Sequence, residues 1–224
     1  MPIMVKKSPS KAGRTAMQAT TVVLVRHGQT ETTGKVLPGR APGLHLADVG
    51  RSQAERAAEL IADGPTIAAV YTSPLERARQ TAAPIGAALG QRPVVDKGLL
   101  ECDFGEWTGE QLSILMKKPE WSTVQRSPST FRFPGGESFT EMQHRMVSTL
   151  DRLRSTHAGS TIVCVSHADP IKAAVANAIG THLDLFQRIV ISPCSLSVLS
   201  WTGSGPVVLS VNTTGRPLTE LGFS

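Results

Sequence analysis

Four short stretches of this chain carry side chains suited to work on a phosphate ester. They are Arg26-His27-Gly28, Ser73 to Arg77, Glu101 within Leu100 to Trp107, and Ser166-His167. Two histidines, two arginines and a carboxylate make a poor metal site, because guanidinium offers no lone pair and repels cations. The same set makes a good anion site. Arg26 and Arg77 can each present a planar fork to non-bridging oxygens. A neutral imidazole amid those cations is a capable nucleophile, since positive surroundings oppose its protonation. A second imidazole, protonated, can donate to an equatorial oxygen as charge develops. A nearby carboxyl group can protonate a departing alkoxide and then activate water.

These residues need a scaffold that gathers them. Thr21 to Val25 and Thr161 to Val165 are short apolar runs, as expected of strands buried on both faces. Ala68 to Thr72 reads as another strand, and Pro93 to Val95 as a short one. Between them, Asp48 to Ile61 repeats its apolar residues at helical spacing and stops at Gly64-Pro65. Ser73-Pro74 reads as the start of a helix running to Leu89, with Ser73 as its cap and Pro84 as a possible kink. Arg77 then falls near the first turn, where free N–H groups favour an anion. A helix is expected near Gly109–Lys117, and Ser138 to Glu141 forms a capping box that opens one reaching about Thr156. Pro170 to Ile179 reads as a further helix. Ser195–Trp201 and Pro206–Val211 read as an antiparallel hairpin.

Strands alternating with helices predict an α/β fold, a three-layer α/β/α sandwich with a mostly parallel central sheet. In such sheets ligands bind outside the carboxyl ends of the strands. Three of the four stretches come immediately after a strand, and Glu101 lies on a long irregular segment, where functional loops concentrate. Taken singly, each has an ordinary reading: a strand-end histidine, a solvated helix arginine, a surface acid, a helix cap at His167. Their joint placement favours a site.

The ordered set resembles the histidine phosphatase superfamily, which includes the cofactor-dependent phosphoglycerate mutases. Val25 to Thr30 looks like its signature, Ser73 to Thr81 like its second motif, Leu100 to Gly109 like its acid loop, and Val165 to Ala168 like its last motif. The resemblance runs from about Thr21 to Val211. It implies a phosphoglycerate mutase-like fold in which His27 is phosphorylated. Arg26, Arg77 and His167 would form the phosphate pocket, and Glu101 would be the proton donor. Asp103 competes for that role, but its spacing to Gly105 fits less well. No cofactor and no metal are implied. Many relatives carry Asn where Thr33 stands here, so Thr30 and Thr33 are candidate donors to phosphate, and Arg40 is a candidate basic residue beside the pocket.

The same chemistry serves a phosphatase, which gives the phosphoryl group to water, and a mutase, which excludes water and returns it to a second hydroxyl. The segment from Thr108 to Phe133 holds only Lys117, Lys118, Arg126 and Arg132 as cations, modest for the mutase clamp. Pro134 to Ser138 resembles a loop of broad-specificity and α-ribazole phosphatases in the superfamily, although a turn feeding the capping box explains it equally. Hydrolysis of a small phosphorylated metabolite is the favoured expectation. A phosphomutase is the alternative, and a non-catalytic phosphate- or phosphoprotein-binding module the alternative of another class. Phe104, Trp107, Trp121, Phe131, Phe133 and Phe139 either line a leaving-group pocket or pack a core.

Composition bounds the rest. The chain has 224 residues, 40% hydrophobic and 18% charged, enough for one domain with a sizeable core. The net charge of +5 comes mostly from Lys6, Lys7, Lys11 and Arg14, so the body is nearly neutral and nucleic acid is not the expected partner. Residues 1–20 are expected to be a flexible basic arm, ahead of a single domain at 21–224. Met17 is an alternative start, and a mitochondrial-type presequence ranks low. No run approaches a membrane span. Cys102, Cys164 and Cys194 are an odd set without Cys-x-x-Cys spacing, which points to a reducing cytoplasm. An edge strand near the C-terminal hairpin offers a surface for a homodimer.

Overall fold

The computed structural model describes residues 19–215 and 218–220; the expected arm therefore lies almost wholly outside the described residues. Six strands form one sheet in the order β3-β2-β4-β1-β5-β6. They are β1 (Thr20–Arg26), β2 (Ile67–Thr72), β3 (Val94–Val95), β4 (Thr161–Ser166), β5 (Leu196–Thr202) and β6 (Gly205–Thr213). The first four in space are parallel, and the hairpin β5–β6 adds antiparallel strands beside β1.

Alternation along β1 decides which layer each side chain joins. Val23 and Val25 pack with Ala58, Ile61, Ala78 and Ile85 of α1 (Asp48–Ala62) and α2 (Glu76–Ala88). Val22 and Leu24 face the other way, onto helices α5 (Phe139–Thr156) and α6 (Ala168–Ala178), against Met146, Leu150, Ile171 and Val175. A central strand covered on both faces must be apolar throughout, which is why Thr21 to Val25 lacks a polar alternation. Two short helices, α3 (Leu112–Leu115) and α4 (Trp121–Arg126), cross the irregular segment, so the helix expected near Gly109–Lys117 is a single turn.

Two further details depart from the sequence reading. Helix α2 starts at Glu76, after Leu75 and not at Pro74, and Ser73 does not cap it. Helix α6 starts at Ala168, with His167 at the capping position but its side chain engaged elsewhere. Of the aromatic residues near the acid loop, Trp107, Phe131, Phe133 and Phe139 are core: they form edge-on and tilted contacts with ring centroids 5.0 to 6.4 Å apart. The capping box of α5 forms as expected, with Glu141 N donating to Ser138 Oγ at 3.1 Å and Ser138 N donating to Glu141 Oε2 at 3.0 Å.

Candidate active site

Strand register brings the predicted residues together. Arg26 pairs with Ser166, and Thr72 with Val165, so β1, β2 and β4 end level. The chain then continues the ladder for one more bond on each side: His27 N donates to Ser166 O at 2.9 Å, and Ser73 N to Val165 O at 2.9 Å. His27, Ser73 and His167 are thereby neighbours, although up to 140 residues separate them in the chain. The two imidazole centroids lie 5.1 Å apart.

Close backbone approach supports the loop that follows His27. A Cβ on Gly28 would sit 2.5 Å from Gly50 O, and one on Gly50 would sit 2.0 Å from Gln29 O. The start of α1 can therefore rest directly on residues 28–29 only because both positions lack a side chain. Gly28 N is held by Thr81 Oγ1 of α2 at 3.0 Å.

His27 is buried, and its ring is oriented from both ends. Nδ1 lies 2.8 Å from Gly28 O, an acceptor, and Arg77 Nε donates to Nε2 at 3.3 Å. Those partners require the proton on Nδ1 and leave the lone pair on Nε2. Burial, then the Arg77 and Arg26 charges, hold the His27 pKa well below the ordinary histidine range. His167 is lowered in the same way, by burial first and then by Arg77. In the free protein, burial and the neighbouring cations thus oppose protonation of the second imidazole; the expectation of a protonated donor concerns the site once phosphate charge develops there.

Arg77 is fully buried, with Nη2 donating to Gly39 O at 2.8 Å. Arg26 Nη1 donates to Ile191 O at 2.6 Å. Among the described residues neither guanidinium joins an ion pair. Three buried nitrogen atoms around His27 lack a partner: Arg26 Nε, Arg77 Nη1 and His167 Nδ1. An uncompensated buried cation costs several kcal/mol, roughly, so the fully buried Arg77 beside the half-buried Arg26 calls for an anion. Charge and geometry agree. Two guanidiniums, with both imidazoles neutral, match the two negative charges of a phosphate monoester.

The acid loop closes the site. Glu101 is buried, and its Oε1 accepts from Cys102 N at 2.9 Å. Burial, then the neighbouring Asp169 carboxylate, raise its pKa to about 7 against the opposing pull of Cys102 N, Arg77 and Arg26. A carboxyl group that stays protonated near neutrality can act as an acid.

A cavity of about 370 Å³ opens beside these groups. Arg26, His27, Thr30, Thr33 and Glu101 line it, while Arg77 and His167 are fully buried against His27 and are not among the lining residues. Thr33 stands where its Oγ1 accepts from Thr30 N at 2.9 Å and meets Thr30 Oγ1 at 3.0 Å. Arg40 is not among the lining residues; it bonds Glu101 O and pairs with Glu137 and Asp103. Asp103 accepts that pair at the surface side, whereas Glu101 faces the cavity. Phe104 alone of the aromatic group reaches the lining, beside Leu37, Leu112, Ile189 and Ile191.

Sequence reasoning missed three participants. Ser73 Oγ lies 2.8 Å from His167 Nε2, and a serine after a strand gave only the signal of a cap. Asp169 and Lys172 line the cavity as a pair 3.2 Å apart, with Lys172 Nζ also 3.0 Å from Gln187 Oε1. Their spacing of three on a helix was the available clue.

Comparison with known proteins adds an independent line. The family model for the histidine phosphatase superfamily (branch 1) matches residues 22–214. A bifunctional protein of Mycobacterium tuberculosis is 35% identical over 219 residues, covering 95% of this chain and 60% of that protein. This chain therefore spans less than two thirds of that relative's length. Phosphoserine phosphatase 1 of Hydrogenobacter thermophilus is 30% identical, with 86% of this chain and 92% of that protein covered. Among solved structures, a phosphoserine phosphatase from Entamoeba histolytica in complex with phosphoserine superimposes with a TM-score of 0.79 at 26% identity, covering 87% of this chain and 98% of that one.

Proposed function

Because this chain belongs to the histidine phosphatase superfamily, we propose that it hydrolyses small phosphate monoesters by way of a phosphohistidine on His27. The observation that carries the reading is the cluster of unpartnered buried nitrogens on Arg26, Arg77 and His167 around an imidazole whose Nε2 carries no proton and accepts from Arg77 Nε. In the proposed reaction, Nε2 attacks phosphorus while the guanidiniums and His167 hold the equatorial oxygens. Glu101 gives its proton to the departing oxygen. The alcohol leaves, the Glu101 carboxylate takes a proton from water, and that water attacks the phosphohistidine. Inorganic phosphate departs and His27 is restored. Every charge the reaction develops is met by side chains, so the reaction is proposed to need no metal.

Hydrolysis is favoured over phosphoryl return by the rim of the cavity. Lys172 is the lone ammonium among the lining residues, and Asp169 neutralises it. A mutase acting on a phosphorylated carboxylic acid needs a free cation opposite the phosphate site to seat the carboxylate. The proposed leaving group is accordingly a small alcohol that meets an apolar wall and one paired-charge patch. Three free cysteines support a reducing compartment, proposed as the cytoplasm. Among the described residues no helix is long and apolar enough to cross a membrane.

A panel of phosphorylated metabolites tests this reading, with 3-phosphoglycerate included in the presence and absence of 2,3-bisphosphoglycerate. Free phosphate is the expected product, and isomerised phosphoglycerate without phosphate release would overturn hydrolysis as the activity.

A further inference from the structure

The loop from Pro134 to Ser138 has a second task besides feeding the capping box. Its Glu137 is tied to the acid segment through both main chain and side chain. Glu137 N donates to Asp103 O at 2.9 Å, and Asp103 N donates to Glu137 Oε2 at 3.0 Å. The carboxylate is then gripped by Arg145 of α5, with Nε to Oε1 at 2.9 Å and Nη2 to Oε2 at 2.9 Å. On its other side stands Arg40, with Nη2 2.9 Å from Glu137 Oε2 in an ion pair whose N–H is not aligned as a hydrogen bond.

Both guanidiniums go on to the same destination. Arg145 Nη1 donates to Gly98 O at 2.9 Å and Leu100 O at 2.8 Å, and its Nη2 donates to Glu101 O at 3.2 Å. Arg40 Nε donates to Glu101 O at 2.9 Å. All five N–H groups of Arg145 are thus engaged by protein, which leaves none for a ligand. The carbonyls of residues 98, 100 and 101 belong to no strand ladder or α-helix, so these side-chain donors supply what secondary structure does not. The three charged side chains are only 19–28% exposed, which limits screening by solvent.

We propose that Glu137, Arg145 and Arg40 are positioning residues that hold the backbone of Glu101 so that its carboxyl group meets the leaving oxygen. None of the three lines the cavity. Arg40 is therefore a strut and not a substrate ligand. Its neighbour Gly39 accepts from Arg77 Nη2 at 2.8 Å, so residues 39–40 join the phosphate-binding guanidinium to the acid by two short contacts. A misplacement of about 1 Å in such a group is enough to cost roughly a hundredfold in rate. The proposal rests on the acid role proposed for Glu101.

The test compares phenyl phosphate with p-nitrophenyl phosphate, esters of similar size whose leaving groups differ in their need for a proton. The proteins are wild type, Glu101→Gln, Glu137→Gln, Arg145→Lys and Arg40→Lys, with thermal melts and inhibition by inorganic phosphate measured alongside. In the three brace variants kcat/KM for phenyl phosphate should fall about tenfold more than for p-nitrophenyl phosphate, following the Glu101→Gln pattern. Phosphate inhibition should stay within about threefold of wild type, because the phosphate pocket is intact. Equal losses on both esters in variants that melt cooperatively would overturn the proposal, as would no loss at all. Should Glu137→Gln fail to fold, the two lysine variants, which keep the charge, decide it. If Glu101→Gln itself loses both esters alike, the acid assignment falls, and the brace with it.

Discussion

Arg77 Nε meets His27 Nε2 across 3.3 Å, a buried guanidinium donating to the ring nitrogen that carries the lone pair. This contact aims the imidazole and, after burial itself, is the main influence that displaces its pKa downward. It also sets an exchange: when an ester binds, the donor can pass from nitrogen to a phosphate oxygen, freeing the lone pair to attack.

Arg77→Lys is predicted to lower kcat/KM by about a hundredfold or more, because an ammonium cannot reach His27, Gly39 O and a phosphate oxygen together. Steady-state kinetics on p-nitrophenyl phosphate measure it. A loss under about threefold would remove Arg77 from the phosphate site.

The acid role proposed for Glu101 predicts the pH dependence. Glu101 ionises at about 7 in the folded free protein, and only its protonated form can donate. The kcat/KM for phenyl phosphate should therefore fall as pH rises above about 7, a limb to which His27 does not contribute because its pKa is displaced downward. Glu101→Gln should lose that alkaline limb. An alkaline limb unchanged in Glu101→Gln would assign it to another group.

Asp169 provides a second handle on the same limb. Its carboxylate raises the Glu101 pKa and neutralises Lys172. Asp169→Asn should move the alkaline limb to lower pH and improve kcat/KM for esters whose leaving group carries a carboxylate, by uncovering the ammonium. A limb that stays in place, or moves up, would contradict the electrostatic link.

Much of this site was legible in the sequence because its parts obey local rules. An unbroken apolar run such as Thr21 to Val25 marks a central strand, and the residues just past the end of a central parallel strand land at the ligand edge. The Ser138 capping box was equally readable, since both of its partners lie within four residues. Ser73 and Arg40 were not. Each carries a residue type with a common local role, a cap and a loop cation, but its partner is 94 or 61 residues away. Long-range pairing overrode local preference at both. Likewise the burial of His167 beside Arg77 and Arg26, which displaces its pKa downward, was not readable from its position after a strand.

Packing gives a prediction independent of chemistry. Gly50→Ala would set a methyl group against Gln29 O at a distance no real contact tolerates, forcing α1 away from the nucleophile loop. The expected destabilisation is about 1–3 kcal/mol, seen as a melting temperature lower by roughly several degrees. Activity should fall with it, since residues 28–29 come directly after His27. An unchanged melting temperature would mean that α1 and the nucleophile loop approach each other less tightly than these distances require.

The covalent step is tested most directly by rapid quenching into alkali, with labelled phosphate ester and chelator both present. Wild-type protein should trap a phosphoryl group that is stable in base, labile in acid and mapped to His27, and His27→Ala should trap none. Label on another residue, or label that appears only when a divalent cation is restored, would contradict the account.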